Sequence, residues 1–452
     1  MNDAKNTISK NRLGIHYFPD TVHYREQDLQ AWLPELQALG VTWITLVAPV
    51  DRAIPEAFIR GLVAAGIRPI LHFPLKVESA PPPEELVLLF EAYQRWGVGH
   101  IALFDRPNSR TSWPGASWAQ TNLIERFLDA YLPYAKLIVA AGMTPVFPPL
   151  EPGGDYWDTA FLRSTLQTLE DRKEFDLLKS LVIGAYAWAD NLSLNWGAGG
   201  PERWPGTRPY FTPPDEQDQT GFRIFDWYTT ISRAVLGEPL PVIILAGGSR
   251  IGDQRDITQA AINPDSHAAR TMAVAQLLAG EYTAEDERIE PIPDEVLACN
   301  FWFLAANPEH TNAKQAWYQA DGTTLPIVSR LKEWQAVRPS QPPTETQDKA
   351  FAPESGIPKA KSSALIDHYL LLPTYEWGVA DWHLEVIQPF VKKYCPTIGF
   401  SVEEAANAAR VTVVGGEQSF PEDVIRILEQ AGCQIEQISG DGTSIATKLA
   451  SA

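Results

Sequence analysis

Four carboxylates of this chain follow apolar, strand-like runs at the points where a loop begins. They are Asp105, Glu151, Asp190 and Asp253. Two carboxyl groups can act as acid and base, or as acid and nucleophile, when their surroundings separate their pKa values. The sequence therefore makes these four the candidates for catalysis, while the simpler role of Asp105 is to pair with Arg106, Arg110 or a helix N-terminus.

Aromatic side chains are concentrated in the same loops, above all in the long loop 189–221, where connections of about 2 to 6 residues are usual. A flat indole can pack on the C–H face of a sugar ring, while neighbouring amides and carboxylates bind its hydroxyls. The indoles considered for such a surface are Trp113, Trp188, Trp196 and Trp204, with Tyr210 and Phe211 nearby. The alternative is that they pack the loops onto the protein.

Eight strand-like runs alternate with helical stretches between Leu13 and Val337 and would position these loops. The predicted strands are 13–18, 42–48, 68–73, 100–104, 144–148, 181–188, 241–246 and 296–304, and the helices include 28–39, 84–96, 122–141, 161–178, 222–236, 266–278 and 325–337. Eight such repeats predict a (β/α)8 barrel within residues 1–337, whose working residues lie at the carboxyl ends of the strands. A doubly wound sheet is the alternative.

Local rules add two expectations at these strand ends. Because neighbouring side chains of a strand face opposite sides, Asp105 should turn away from the barrel axis. Asp155, which precedes a predicted helix, should cap its N-terminus.

After the barrel, residues 338–364 are rich in proline and poor in apolar residues, as in a linker. Residues 365–452 then read as a small three-layer α/β domain, with strands at 365–373, 410–414 and 434–438 and helices at 380–394 and 421–431. The chain is thus predicted to contain two domains.

The 452 residues carry a formal net charge of −19, which argues against a nucleic-acid partner. Three widely spaced cysteines, Cys299, Cys395 and Cys433, predict neither a disulfide framework nor a metal site. No phosphate loop or metalloprotease motif appears, so no cofactor is expected. Without a visible signal peptide or membrane span the expected location is the cytoplasm, or the cell exterior if the N-terminus is incomplete.

Five strand segments resemble the clan A glycoside hydrolases, the barrel superfamily of cellulases and β-xylosidases. They are Leu-Gly-Ile-His-Tyr at 13–17, Gly-Met-Thr-Pro-Val-Phe-Pro-Pro-Leu-Glu-Pro-Gly-Gly-Asp at 142–155, Val-Ile-Gly-Ala-Tyr-Ala-Trp at 182–188, Pro-Val-Ile-Ile-Leu-Ala-Gly-Gly at 241–248 and Asn-Phe-Trp-Phe at 300–303. The resemblance covers about residues 13–334 and implies that Tyr186 and Trp302 shape a sugar subsite.

The chain departs from that family where the family places its catalytic groups. Strand 4 ends in Asp105-Arg106-Pro107-Asn108 instead of Asn-Glu-Pro-Asn, so Arg106 stands where the resemblance implies the acid/base Glu. Ala246 stands at the nucleophile position and Gly184 at that of a usual His. The resemblance thus implies a glycosidase-like, carbohydrate-binding pseudoenzyme, in which Arg106 and Asn108 also line the ligand site. Arg106 should find an acidic partner, with Glu151 and Asp190 the first candidates, or an anionic ligand.

Two other readings stay open. The barrel could be a hydrolase that uses displaced carboxylates, or a structural part of a cell-envelope assembly. Arg-Val-Thr-Val-Val-Gly-Gly at 410–416, with the segment that follows, resembles one repeat of the type 2 cell-wall-binding modules, which implies a cell-wall polymer or a protein as partner. A flavodoxin-like strand, turn and helix would give the same pattern.

Overall fold

The computed structural model describes residues 11–208, 212–213, 216–282 and 289–338 and, toward the C-terminus, 366–373, 387, 390–391, 393–394, 396–416, 419–439 and 448. Contacts divide the chain into two compact units, Met1–Glu345 and Thr346–Ala452. The predicted linker lies outside the described residues except for Arg338, and it stays a prediction.

The first unit is a closed barrel of eight parallel strands, paired in chain order, with β8 returning to β1. The strands are β1 Leu13–His16, β2 Trp43–Val47, β3 Arg68–Phe73, β4 His100–Leu103, β5 Thr144–Phe147, β6 Val182–Trp188, β7 Val242–Gly248 and β8 Val296–Phe301. This topology confirms the predicted (β/α)8 barrel and rules out the doubly wound sheet.

Helices surround the barrel between successive strands. They are α1 Glu26–Ala38, α2 Glu56–Ala64, α3 Val87–Arg95, α4 Leu123–Ala140, α5 Asp158–Asp171, α6 Phe175–Ser180, α7 Ile224–Leu236, α8 Pro264–Ala279 and α9 Pro326–Val337. The single helix predicted at 161–178 is wrong, because the chain breaks between α5 and α6, where Lys173 has a φ of 59°. At the end of α7, Gly237 adopts the left-handed conformation (φ 85°) that commonly ends a helix.

Strand alternation divides the core into two layers. Inward-facing side chains fill the barrel with the cluster Trp43, Ile70, Ala102, Val146, Val182, Tyr186, Ile243, Leu245, Ala246 and Ala298. Outward-facing strand residues such as Leu71 and Leu103 pack with the apolar faces of the helices in a second, larger cluster. The barrel is therefore a filled scaffold, and ligands can approach only at its ends.

The second unit contains a parallel sheet in the order β10-β9-β11-β12. Its elements are β9 Ile366–Leu371, β10 Thr397–Gly399, α10 Val402–Ala405, β11 Ala408–Val414, α11 Glu422–Gln430 and β12 Gln434–Ile438. Leu428 packs on one face and Phe390 on the other, as expected for a three-layer α/β domain. Strand β10 was not predicted, and most of the predicted helix 380–394 lies outside the described residues.

Within the described parts of both units, no helix has the length and apolarity needed to cross a bilayer.

Candidate functional site at the barrel mouth

The carboxyl ends of β4 to β8 bring most of the predicted site residues together. The connected group, here called the mouth, consists of Asp105, Arg106, Glu151, Tyr186, Trp188, Asp190, Arg250, Asp253 and Trp302. All except Arg250 were candidates from the sequence. The signal that could have identified Arg250 is its place just past β7, three residues before Asp253.

A left-handed residue at the end of β4 decides which side chains reach the mouth. Ala102 faces the barrel interior, so strand alternation would turn Phe104 inward too. Phe104 instead has a φ of 63°, and its ring packs outward on α4, with its centroid 6.2 Å from that of Phe127 and 5.8 Å from that of Tyr134. Asp105 consequently faces the mouth. The prediction that Asp105 turns away from the axis is wrong, because it assumed unbroken alternation.

Arg106 links two carboxylates at this end of the barrel. Its Nη2 lies 2.9 Å from Asp105 Oδ2, and its Nη1 lies 3.3 Å from Glu151 Oε2. The Tyr186 hydroxyl donates to Asp105 Oδ1 over 2.8 Å, and the guanidinium lies over the Tyr186 ring, 5.5 Å from its centroid. Of the two partners predicted for Arg106, the structure brings Glu151 to it but places Asp190 beside Arg250.

The charges of this network hold Arg106 in its cationic form. Burial lowers the pKa of Arg106, but the neighbouring charges of Asp105 and Glu151 outweigh it and raise that pKa above its ordinary value. Burial, together with the charge of Asp105, raises the pKa of Tyr186 well above its ordinary value. Arg106 is therefore a permanent cation, and Tyr186 is a neutral hydrogen-bond donor.

Three aromatic rings form the floor of the mouth. The rings of Tyr186 and Trp188 are nearly parallel, with centroids 6.1 Å apart, and Trp302 meets Trp188 edge-on at 5.6 Å. Trp302 also contacts His16, 5.2 Å away between centroids, and both Trp188 and Trp302 are only partly buried. Trp188 and Trp302 therefore offer apolar surface at the barrel opening, while Tyr186 is buried beneath the Arg106 guanidinium.

The positions where the resemblance implies a nucleophile and a His cannot supply those groups. Ala246 is the strand partner of Tyr186 and is completely buried. Gly184 has no space for a side chain, since an added Cβ would lie 2.5 Å from the carbonyl oxygen of Phe147. The barrel is packed around these two small residues.

On the other side of Trp188, Arg250 lies between two carboxylates. Its Nε donates to Asp253 Oδ2 over 3.1 Å, its Nη2 lies 3.8 Å from Asp190 Oδ1, and its Cζ is 4.6 Å from the Trp188 ring centroid. Burial first, and the charge of Asp253 second, raise the pKa of Asp190, against the opposing charge of Arg250. The mouth thus holds a second guanidinium stacked on the aromatic floor.

Several predicted ligand residues instead hold the loops in place. Asn108 is fully buried, and its amide bonds to the backbone of Glu151 and Tyr156. Trp113 is also buried and donates to the Pro107 carbonyl over 2.8 Å. The structure therefore does not bring Asn108 or Trp113 to the mouth.

The long loop after β6 is packed around its own tryptophans. The rings of Trp196 and Trp204 lie 5.4 Å apart, and Trp204 donates to the carbonyl of Ala198. Tyr210 and Phe211 lie outside the described residues. Asp155 does not cap α5 as predicted, because it pairs with Arg110 while Trp157 occupies the N-cap position.

Two buried titratable groups of the barrel strands, His16 and Cys299, are held in their neutral forms. Burial, reinforced by His72, lowers the pKa of His16 to about 3, and burial raises the pKa of Cys299 to about 12. Among the described residues, no group of three or more His, Cys, Asp or Glu side chains is arranged to hold a metal ion.

A scan of protein-family models gives no match, and neither does a search of curated proteins. Among solved structures, the chain is similar to a family 39 glycoside hydrolase from Bacteroides cellulosilyticus WH2, with 12% identity over 72% of this chain and 63% of that one and a TM-score of 0.46. It thus spans less than two thirds of that protein. It is also similar to a monomeric β-xylosidase from Caulobacter crescentus CB15, with 12% identity over 73% and 69% of the two chains and a TM-score of 0.44. Because one barrel fold supports many activities, function depends on the residues at the mouth.

Proposed function

We propose that the barrel binds carbohydrate at its mouth and does not hydrolyse glycosidic bonds. The floor of Tyr186, Trp188 and Trp302 provides apolar ring surface, and the charged groups around it provide hydrogen bonds for hydroxyls. This combination of aromatic faces and a few polar groups is typical of a small-molecule site that recognises amphipathic ligands such as sugars.

The observation that carries the non-catalytic half of the proposal is the Arg106 bridge. Glycoside hydrolysis uses two carboxyl groups, one of which must hold and donate a proton. Asp105 and Glu151 are both engaged by the Arg106 guanidinium as ion-pair partners. Arg106 itself cannot give up a proton at physiological pH.

Ala246 and Gly184 support the same conclusion from the neighbouring strands. An alanine methyl group has no lone pair with which to attack an anomeric carbon, and Ala246 is closed off from solvent. At Gly184 the backbone of β5 occupies the space that a histidine ring would need. Both positions are therefore part of the packed core of the barrel and not of a reaction centre.

One observation favours hydrolysis by displaced carboxylates as a second candidate. Asp190 has a raised pKa and lies near Asp253, so a proton could reside on it at a higher pH than on an exposed aspartate. Against this, the Asp253 carboxylate is held by Arg250 through both side-chain and backbone donors. Asp253 therefore serves as the ion-pair partner of Arg250 and not as a catalytic carboxylate.

The proposal is tested by exposing the full chain to a panel of 4-nitrophenyl glycosides and, in parallel, to soluble neutral oligosaccharides. We expect saturable oligosaccharide binding without release of nitrophenol. Nitrophenol release that is lost in Asp190→Asn or Asp105→Asn would contradict it and favour the enzyme. A cell-wall polymer or a protein remains the proposed partner of the second unit, to be sought by pull-down with the intact chain.

A further inference from the structure

The ion pair between Asp190 and Arg250 has an unusual geometry for its position. The side chains are only 21% and 39% exposed, yet the nearest oxygen and nitrogen are 3.8 Å apart, longer than a hydrogen bond. In the described part of the chain, no donor is found within hydrogen-bond distance of the Asp190 carboxylate. Partly buried charges at this spacing are commonly joined through an intervening hydroxyl or water.

The backbone keeps these two charges in place. Asp190 has a φ of 46°, a conformation that non-glycine residues rarely adopt, and its carbonyl accepts from Ser249 Oγ over 2.9 Å. Arg270 Nε in turn donates to Ser249 Oγ over 2.6 Å. Arg250 is fixed from the other side by Asp253 and by the Trp188 ring. Held strain of this kind is typical of functional positions.

We infer that Asp190 and Arg250 form the polar end of a subsite for a neutral sugar unit that lies beside the stacked pair Arg250 and Trp188. The inference rests on the proposed function and names its ligand class. Two adjacent ring hydroxyls can donate to the two oxygens of Asp190, and the oxygen of one of them can accept from Arg250. A hydroxyl is the sugar group that satisfies both partners, because it donates and accepts.

The local charge distinguishes this ligand from an acidic one. A uronate carboxylate at this place would meet Arg250 but also Asp190 and Asp253, two like charges. Arg255 and Arg270 also act on Asp190, but their guanidinium groups donate to loop carbonyls and to Ser249. A cationic amino sugar would meet the guanidinium of Arg250. The neutral sugar is repelled by neither side of the pair.

The test compares wild type with Asp190→Asn by titration calorimetry, using neutral cello- and xylo-oligosaccharides and oligogalacturonate as probes. Asn tolerates a positive φ nearly as well as Asp, so the variant keeps the backbone while losing the charge. We expect neutral oligosaccharides to bind Asp190→Asn about tenfold or more weakly, in line with the loss of a hydrogen bond to a charged group. We also expect the preference of wild type for neutral over acidic probes to shrink. Arg250→Met, which keeps a stem over Trp188, should weaken neutral binding in the same way.

The matched control is Asp176→Asn, the same change at a carboxylate that is 96% exposed on α6, which should bind like wild type. Thermal unfolding of every variant checks that it folds. Neutral probes that bind both mouth variants as tightly as wild type would overturn this inference and leave the proposed function standing. Tighter binding of oligogalacturonate than of neutral probes to wild type would also overturn it. If wild type binds none of the probes, the proposed function itself fails.

Discussion

Both ends of the barrel carry arginines stacked on aromatic rings, but the charged groups around these arginines differ between the two ends. At the amino ends of the strands, Arg68 lies over the Trp43 ring, 5.1 Å from its centroid, and His100 lies 5.3 Å from it. At the mouth, Arg106 lies over Tyr186 and Arg250 over Trp188. Within the described residues, Arg68 has no carboxylate partner, whereas each mouth arginine contacts two.

Arg68 belongs to the packing of the barrel at its amino end, whereas the carboxylates at the mouth belong to the proposed binding site. At the amino end, the Arg68 guanidinium stacks on Trp43, which belongs to the cluster that fills the barrel. The carboxylates at the mouth are additional, and they come with strained backbone, since Phe104, Arg106 and Asp190 all have positive φ values. Under the proposed function, this additional charge and strain belong to the surface that meets the ligand.

The largest expected effect comes from removing an indole at each end. Trp43→Ala should lower the free energy of unfolding by about 3–5 kcal/mol, because Trp43 is only 3% exposed and fills the barrel interior. Trp302→Ala should cost less stability, since its indole is partly exposed, and should abolish oligosaccharide binding. Urea denaturation and titration calorimetry measure the two quantities. If Trp302→Ala bound oligosaccharides as tightly as wild type, Trp302 would not be part of the binding surface, and the proposed difference between the two ends would be wrong.

A smaller effect is expected at the loop contact beneath Glu151. Asn108→Ala removes three hydrogen bonds to the backbone of the loop after β5, which should cost about 1–3 kcal/mol of unfolding free energy. It should also weaken ligand binding, because Glu151 is no longer positioned beside Arg106. Asn307→Ala, at an exposed asparagine, is the control and should stay within about 0.5 kcal/mol of wild type. Unchanged stability of Asn108→Ala in urea denaturation would show that the two loops are held by other contacts.

The smallest expected effect is the pH dependence of stability and of ligand binding, compared between wild type and Asp190→Asn. Burial raises the pKa of Asp190 in the folded chain, so the ionised carboxylate reduces stability. That loss builds up as the pH rises from the unfolded-state pKa and is complete above the raised folded-state pKa. Asp190→Asn should therefore equal wild type in stability at low pH and exceed it slightly at neutral pH. Ligand binding should show the opposite trend, weakening in wild type on acidification before exposed carboxylates titrate. A pH series of urea denaturation and calorimetry tests both trends, and parallel curves for the two proteins would contradict them.

The sequence predicts the barrel because its strands and their loops are specified locally, by apolar runs that end at glycines and polar residues. It also identifies Arg106 and Glu151 as partners, since the ends of β4 and β5 are neighbours in any such barrel. The orientation of Asp105 could not be predicted, because the left-handed turn occurs at Phe104, where no glycine signals it. The place of Arg250 depends on how the loop after β7 folds back over Trp188, a contact between residues far apart in sequence.

Following binding and cleavage in one sample tests most directly whether the mouth binds carbohydrate without cleaving it. Wild-type protein is titrated calorimetrically with neutral cello-, xylo- and laminari-oligosaccharides, and the recovered ligand is then analysed by mass spectrometry. We predict a saturable heat with at least one oligosaccharide, its loss in Trp302→Ala, and ligand recovered at full length. Shortened products whose formation stops in Asp190→Asn, or the absence of heat with every oligosaccharide, would contradict the proposal that the mouth binds carbohydrate without cleaving it.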